Sequence, residues 1–210
     1  MQPLILWFRR DLRLDDNPML AEAAATGRPL IPVFIADDSV TGMGAAPRWR
    51  LGEGLSVFSE TLKKHGARLI LRRGPALKAL REVIAETGAT GVWWGRLYDA
   101  PARKRDSGIK QALREDGIEA RSFAGHTLIE PWQVETGEGG HYKVYSPFWK
   151  ALSARGVPDP CPAPKRLTAP ESWPESDRLA EWKLGAGMNR GAPVVARHAR
   201  IGSAKAEAKL

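Results

Sequence analysis

The chain has 210 residues, 43% of them hydrophobic, enough for a real core and a length that suggests one domain or one plus a fragment. Lys and Arg number 32 against 24 Asp and Glu, and the net charge of +8 favours an anionic partner, nucleic acid first, unless it reflects an arginine-rich proteome. A single cysteine, Cys161, excludes an internal disulfide framework and fits a reducing cytoplasm, and no apolar run approaches the ~20 residues that a membrane span needs.

The first 125 residues alternate between short apolar runs and helical spacing. Leu4–Phe8 (LILWF) reads as a buried strand. Asn17 followed by Pro18 is an N-cap with proline in the first turn, opening a helix to about Thr26 that Gly27 stops. Leu30–Ala36 (LIPVFIA) is a second apolar strand. Leu51, Leu55, Phe58 and Leu62 fall at helical spacing, with His65-Gly66 as the exit. Arg68–Leu71 reads as a strand. Leu77, Leu80, Val83 and Ile84 mark a helix between Gly74-Pro75 and Gly88. Val92–Trp94 is a further strand. Asp99 or Ala100 before Pro101 opens a helix carrying Ile109 and Leu113 and ending at Gly117, and Ala120–Phe123 closes the series. Apolar strands with little alternation, separated by helices, mean βαβ crossovers and an α/β fold: a doubly wound, Rossmann-like, five-stranded parallel sheet.

After Gly125 the character changes. "TLIEPWQVETGEGGHYKVYSPFW" is irregular, with a turn at Glu138-Gly139-Gly140. Ser146-Pro147 repeats the cap-plus-proline signal for a short helix in which Phe148 and Trp149 read as buried packing. Six prolines between Val157 and Pro174 predict an extended linker. Trp182 to Ile201 is rich in Gly and Arg, and SAKAEAKL opens a helix-favouring pattern just as the sequence stops. The expected division is 1–130 for the α/β domain, 131–182 for the short helix and linker, and 183–210 for the start of a further helical domain. His65, His126, His141 and His198 show no metal-like spacing with Cys161, so no metal site is expected, and the start MQPLILWFRR has no signal-peptide form.

In a doubly wound sheet, ligands sit outside the carboxyl ends of the strands, near the switch point. Arg9, Arg10, Asp11 and Arg13 lie past the first strand, Asp37 and Asp38 past the second, and Gly95, Arg96 and Asp99 past the fourth. The usual phosphate loops are missing: there is no G-x-G-x-x-G after the first strand and no G-x-x-x-x-G-K-[ST]. The charged run at Arg9 to Arg13 reads two ways, as an exposed ion-pair network tying the loop to the first helix or as planar arginine contacts to a domain interface or an anionic ligand.

"WFRRDLRLDDNPML" closely resembles the opening signature of the DNA photolyase/cryptochrome family. "RKRD" (Arg103–Asp106), "EPWQV" and "YKVYSPFWKAL" resemble later stretches of that family, in the same order, over about Leu4 to Leu152. The resemblance implies an N-terminal α/β domain followed by a helical domain that binds FAD, absent from these residues. In the family, light and reduced FAD split pyrimidine dimers in DNA, so damaged DNA and the helical FAD domain are the implied partners, with no membrane involved. The resemblance also implies that this chain alone is inactive.

By the same resemblance, Arg9, Arg10, Asp11 and Arg13 serve the domain interface. An antenna pigment is held by Phe34, Ile35, Ala36, Asp37, Arg48, Trp49 and Arg50, with Gly95 to Asp99 closing the crevice. Folate-binding relatives carry an asparagine–glutamate pair where this sequence has Pro101-Ala102, which favours a deazaflavin or flavin over a folate. Lys143 and Lys150, interleaved with aromatics, are phosphate contacts to DNA. Three alternatives stay open: a cryptochrome-type light receptor without repair, a stand-alone nucleotide- or flavin-binding α/β protein, and a purely structural domain without pigment.

Overall fold

A computed structural model describes residues 1–209. Five strands, β1 (Leu4–Phe8), β2 (Leu30–Ala36), β3 (Ile70–Arg73), β4 (Gly91–Gly95) and β5 (Glu119–Phe123), form one sheet. Its order is β3-β2-β1-β4-β5, and every pairing is parallel. The connecting helices are α1 (Pro18–Ala25), α2 (Asp38–Thr41), α3 (Ala45–Lys64), α4 (Ala76–Thr87) and α5 (Ala100–Glu115). The predicted doubly wound α/β fold is therefore what the chain adopts.

Both faces of the sheet are covered, which is why its central strands are apolar throughout. Leu4, Leu6 and Phe8 point to one side, against Leu20 of α1 and Leu55, Phe58 and Leu62 of α3. Ile5 and Trp7 point to the other, against Leu80 and Val83 of α4 and Ile109 and Leu113 of α5. Each such side chain is fully or almost fully buried, a contribution of about 1.5–3 kcal/mol apiece. Asn17 caps α1 by accepting from the Leu20 amide at 3.1 Å, and Asp99 caps α5 by accepting from Ala102 at 3.1 Å.

Three local expectations need correction. β3 begins at Ile70, two residues later than Arg68, because Thr168 occupies its place: the Leu30 amide donates to the Thr168 carbonyl at 2.8 Å. The helix around the second proline signal, α6 (Tyr145–Arg155), starts one residue before Ser146 and makes no side-chain cap. Phe148 is only half-buried, beside Tyr142, and Trp149 is 52% exposed, so they are not core residues; no residue of that helix is buried.

The proline-rich stretch is extended, but it is fastened to the body. The Cys161 carbonyl accepts from Asp16, Leu167 is 1% exposed in the core, and its amide donates to His65. Ser176 Oγ accepts from the Leu71 amide at 2.9 Å and the Asp177 amide donates back to the Leu71 carbonyl at 2.9 Å. The open edge of β3 is thereby paired at Leu71. Beyond it, 3-10 turns at Leu179–Trp182 and Ala186–Met188 return to α3, and two short helices follow, α7 (Gly191–Ala196) and α8 (Ser203–Glu207). The predicted helix-favouring end thus holds one short helix, with Leu210 outside the described residues.

Removing the anchor of this strap tests whether it belongs to the core. Leu167→Ala is expected to lower the urea-unfolding free energy by about 2–4 kcal/mol; a loss below about 0.5 kcal/mol would mean that the strap folds independently of the sheet.

Candidate functional site

The chain leaves β1 toward β2 on one side, while β4 and β5 lie on the other, so the tips of β1 and β4 flank a crevice. The loop after β1 fills its floor. Asp11 Oδ1 accepts from the Arg9 amide at 2.8 Å and turns the chain back on itself. Gly95 at the β4 tip makes room: a Cβ there would stand 2.8 Å from Asp11 Oδ2.

Arg9 then spans the crevice. Its guanidinium donates to the Gly95 carbonyl and, at 2.7 Å, to Asp106 Oδ2 on α5. Arg105 donates to Asp106 Oδ1 at 3.0 and 2.9 Å and to Asp37 Oδ2 at 2.8 Å. Asp37, at the end of β2, caps α2 through the Ser39 amide at 3.0 Å. A continuous chain of charge therefore joins the tips of β4, β1 and β2 to α5. Both guanidinium groups lie over the Trp7 ring, at 4.4 and 5.2 Å from its centre.

Arg9, Asp37 and Asp106 are each about nine-tenths buried. Charges so placed are tolerated only when paired and hydrogen-bonded, and here two cations meet two carboxylates. Burial pulls the Arg9 guanidinium below its ordinary value while Asp106 and Asp11 oppose that shift. Burial likewise pushes the Asp11 carboxyl above its ordinary range, outweighing the Arg9 amide and the Arg9 charge.

Over this floor lies a cavity of about 1210 Å³. Phe34, Phe58, Leu97 and Ile109 give it apolar walls, Arg9, Asp37 and Arg105 a charged end, and Ile201 and Ala206 form part of one side. Among the residues predicted to hold a pigment, Phe34, Ile35, Asp37, Arg50 and Asp99 line this cavity. Ala36, Arg48 and Trp49 do not. Pro47, Arg50, Leu51 and Gly54 of α3 face the cavity at helical spacing, and Trp49 falls on another side, packed under the turn at Gly185. Arg48 lies beside Gly187 in the same region.

The four residues assigned to a domain interface have partners within the domain. Arg9 and Asp11 are described above, Arg10 pairs with Asp99 at 3.3 Å, and Arg13 donates to the Asp16 carbonyl at 2.8 Å. The three arginines also line the cavity. Lys143 and Lys150 are exposed on α6 and the loop before it and do not reach the cavity. Arg105 and Asp106 were not singled out as site residues from the sequence. The signal was present: Asp106, Ile109 and Leu113 recur at helical spacing on the buried face of α5.

Fold and cavity together define a doubly wound α/β domain of the kind that holds a ligand at its switch point. The chain belongs to the DNA photolyase family, whose family model matches residues 4–165. It is 47% identical over 183 residues to a deoxyribodipyrimidine photo-lyase of Agrobacterium fabrum, covering 87% of this chain and 38% of that protein. Cryptochrome-2 of Arabidopsis thaliana is 38% identical over 150 residues, which covers 70% of this chain and 24% of that protein. The structure of a class III photolyase from Agrobacterium tumefaciens superposes with a TM-score of 0.83 at 46% identity, over 87% of this chain and 38% of that one. An archaeal photolyase from Sulfolobus tokodaii, described with two FAD molecules and a novel light-harvesting cofactor, shares the fold at a TM-score of 0.71 and 24% identity, over 88% of this chain and 42% of that one. The chain spans less than half the length of each of these relatives.

The raised Asp11 value carries a sign. A carboxyl that holds its proton more tightly in the folded state makes stability fall as pH rises above about 4, the unfolded value. Asp11→Asn removes that loss. The stability of the variant relative to the parent, from urea unfolding, is expected to increase between pH 4 and pH 7; a flat or falling difference would contradict the assignment.

Proposed function

We propose that this chain acts as the antenna-pigment domain of a light-dependent DNA photolyase. The observation that carries the reading is the switch-point cavity, whose apolar walls and charged groups at the strand tips suit one flat ring system with a polar edge. The family relationship supports photolyase over cryptochrome, since the photolyase relative is 47% identical and Cryptochrome-2 is 38% identical. In such a protein the repair of pyrimidine dimers falls to reduced FAD on a helical domain, with the α/β domain supplying collected light.

The residues present fit a deazaflavin or flavin better than a folate. Pro101 and Ala102 put hydrocarbon on the cavity wall at the start of α5, where folate-binding members present an amide and a carboxylate. When bound, the pigment absorbs near-ultraviolet or blue light and passes the excitation on. Phe34, Leu97 and Ile109 exclude water from its ring, and the Arg105–Asp37 pair, at 2.8 Å, orients its polar edge. Lys143 and Lys150 contribute phosphate contacts to DNA, which weaken as salt rises.

The test is retention. The 210-residue chain, incubated in turn with a 5-deazaflavin, with FMN and with a reduced folate, is passed through gel filtration and its absorption recorded. Near-equimolar retention of a flavin-type ring is expected, weakened in Leu97→Trp, which pushes a bulky ring in from the cavity wall. Retention of the folate alone, or of no chromophore, would contradict the reading.

A further inference from the structure

The outer edge of the sheet, away from the cavity, holds a cluster of cations. Ser122 on β5 turns its side chain toward α5. Its hydroxyl oxygen accepts from Lys110 Nζ at 3.3 Å and from Arg96 NH1 at 3.3 Å. Arg96 also donates to the Ser122 carbonyl at 2.5 Å and is held by Glu130 at 2.8 Å. Glu130 is in turn satisfied, accepting from Tyr98 as well at 3.0 Å. Arg114 follows Lys110 by one helical turn and is exposed.

The balance of donors and acceptors is one-sided. Among the described residues, neither Lys110 nor Arg114 forms a salt bridge. The Ser122 oxygen already accepts from two cationic donors, so the capacity left to it is its own O–H. Lys110 keeps two unused N–H bonds and Arg114 its full guanidinium fork. All the free hydrogen-bonding capacity here donates, and nothing among the described residues accepts it. Burial pulls the Lys110 amine below its ordinary value, and the Arg114 and Arg96 charges pull it further; the charge of a bound anion opposes that shift.

We propose that Lys110, Arg114 and Ser122, backed by Arg96, form a binding site for a phosphate group. The site is separate from the pigment cavity, whose lining includes none of the four. It does not depend on the antenna reading. The exposed Trp132 ring, whose centre lies 5.5 Å from the Arg96 guanidinium, borders it. Free phosphate and the phosphodiester backbone of a nucleic acid share this chemistry.

Isothermal titration of the 210-residue chain with inorganic phosphate and with an eight-nucleotide single-stranded DNA separates the two sources. The double variant Lys110→Met/Arg114→Gln is expected to bind at least ~10-fold more weakly, the effect of losing a charge-assisted contact, while Lys110→Arg stays within about threefold of the parent. The control Lys64→Gln, an exposed lysine at the end of α3 on the other face of the sheet, is expected to leave inorganic phosphate binding unchanged. Binding of both probes, lost in the double variant, supports a general phosphate site. Binding of the oligonucleotide alone, lost in the same variant, supports a backbone site. Binding of neither probe, or affinities unaltered by the double substitution, overturns the proposal.

Discussion

One guanidinium fixes the geometry on which the site depends. Arg9 is the first residue past β1, at the position where the doubly wound order reverses, and it donates to the last carbonyl of β4 and to a carboxylate on α5. That buried bridge, with the exposed Arg10–Asp99 pair beside it, ties the tips of β1 and β4 to α5 across a cleft that the topology leaves open. The charge at the end of the first strand is thus a tie across the crevice, and most of it is consumed within the domain.

The tie constrains its neighbours. Asp106 must face inward, which sets the rotation of α5. Arg105, the next residue, then reaches Asp37 at 2.8 Å and fixes the mouth of β2. Gly95 must lack a side chain for Asp11 to fit beneath it, and a Cβ on Gly125 would overlap the Arg96 carbonyl where β5 leaves the sheet. Buried ion pairs contribute little to net stability compared with apolar residues of the same shape. Stability here comes from the two apolar layers, and the ion chain supplies a fixed, polar-ended cavity between them. The strap from Cys161 to Asp177 acts on the opposite edge, closing β3 and covering the α1–α3 face.

Much of the fold was legible because its signals are local. The runs LILWF and LIPVFIA coincide with β1 and β2, and Asn17-Pro18 and Asp99 before Pro101 open α1 and α5 where expected. What stayed hidden rests on distant contacts. The start of β3 is set by Thr168, nearly a hundred residues later in the chain. The four-residue α2 exists because Asp37 caps it. Arg9 meets Asp106 and Arg105 meets Asp37 across 97 and 68 positions, separations that no spacing rule spans. Trp49 is a pigment residue by family resemblance, whereas the phase of α3 turns it away from the cavity. Phe148 and Trp149 read as core from composition alone, and composition does not say what covers a helix.

The central claim is that Arg9 and Asp106 act as one unit across the switch point. A double-mutant cycle with Arg9→Met and Asp106→Leu, measured by urea unfolding, tests it most directly. Asp106→Leu leaves the Arg9 charge buried without its carboxylate, a cost of about 3–5 kcal/mol, and Arg9→Met leaves Asp106 to Arg105 alone, a smaller cost, while the double change removes both partners. A coupling energy of about 2 kcal/mol or more is expected. Additive losses, with coupling below about 0.5 kcal/mol, would contradict the account.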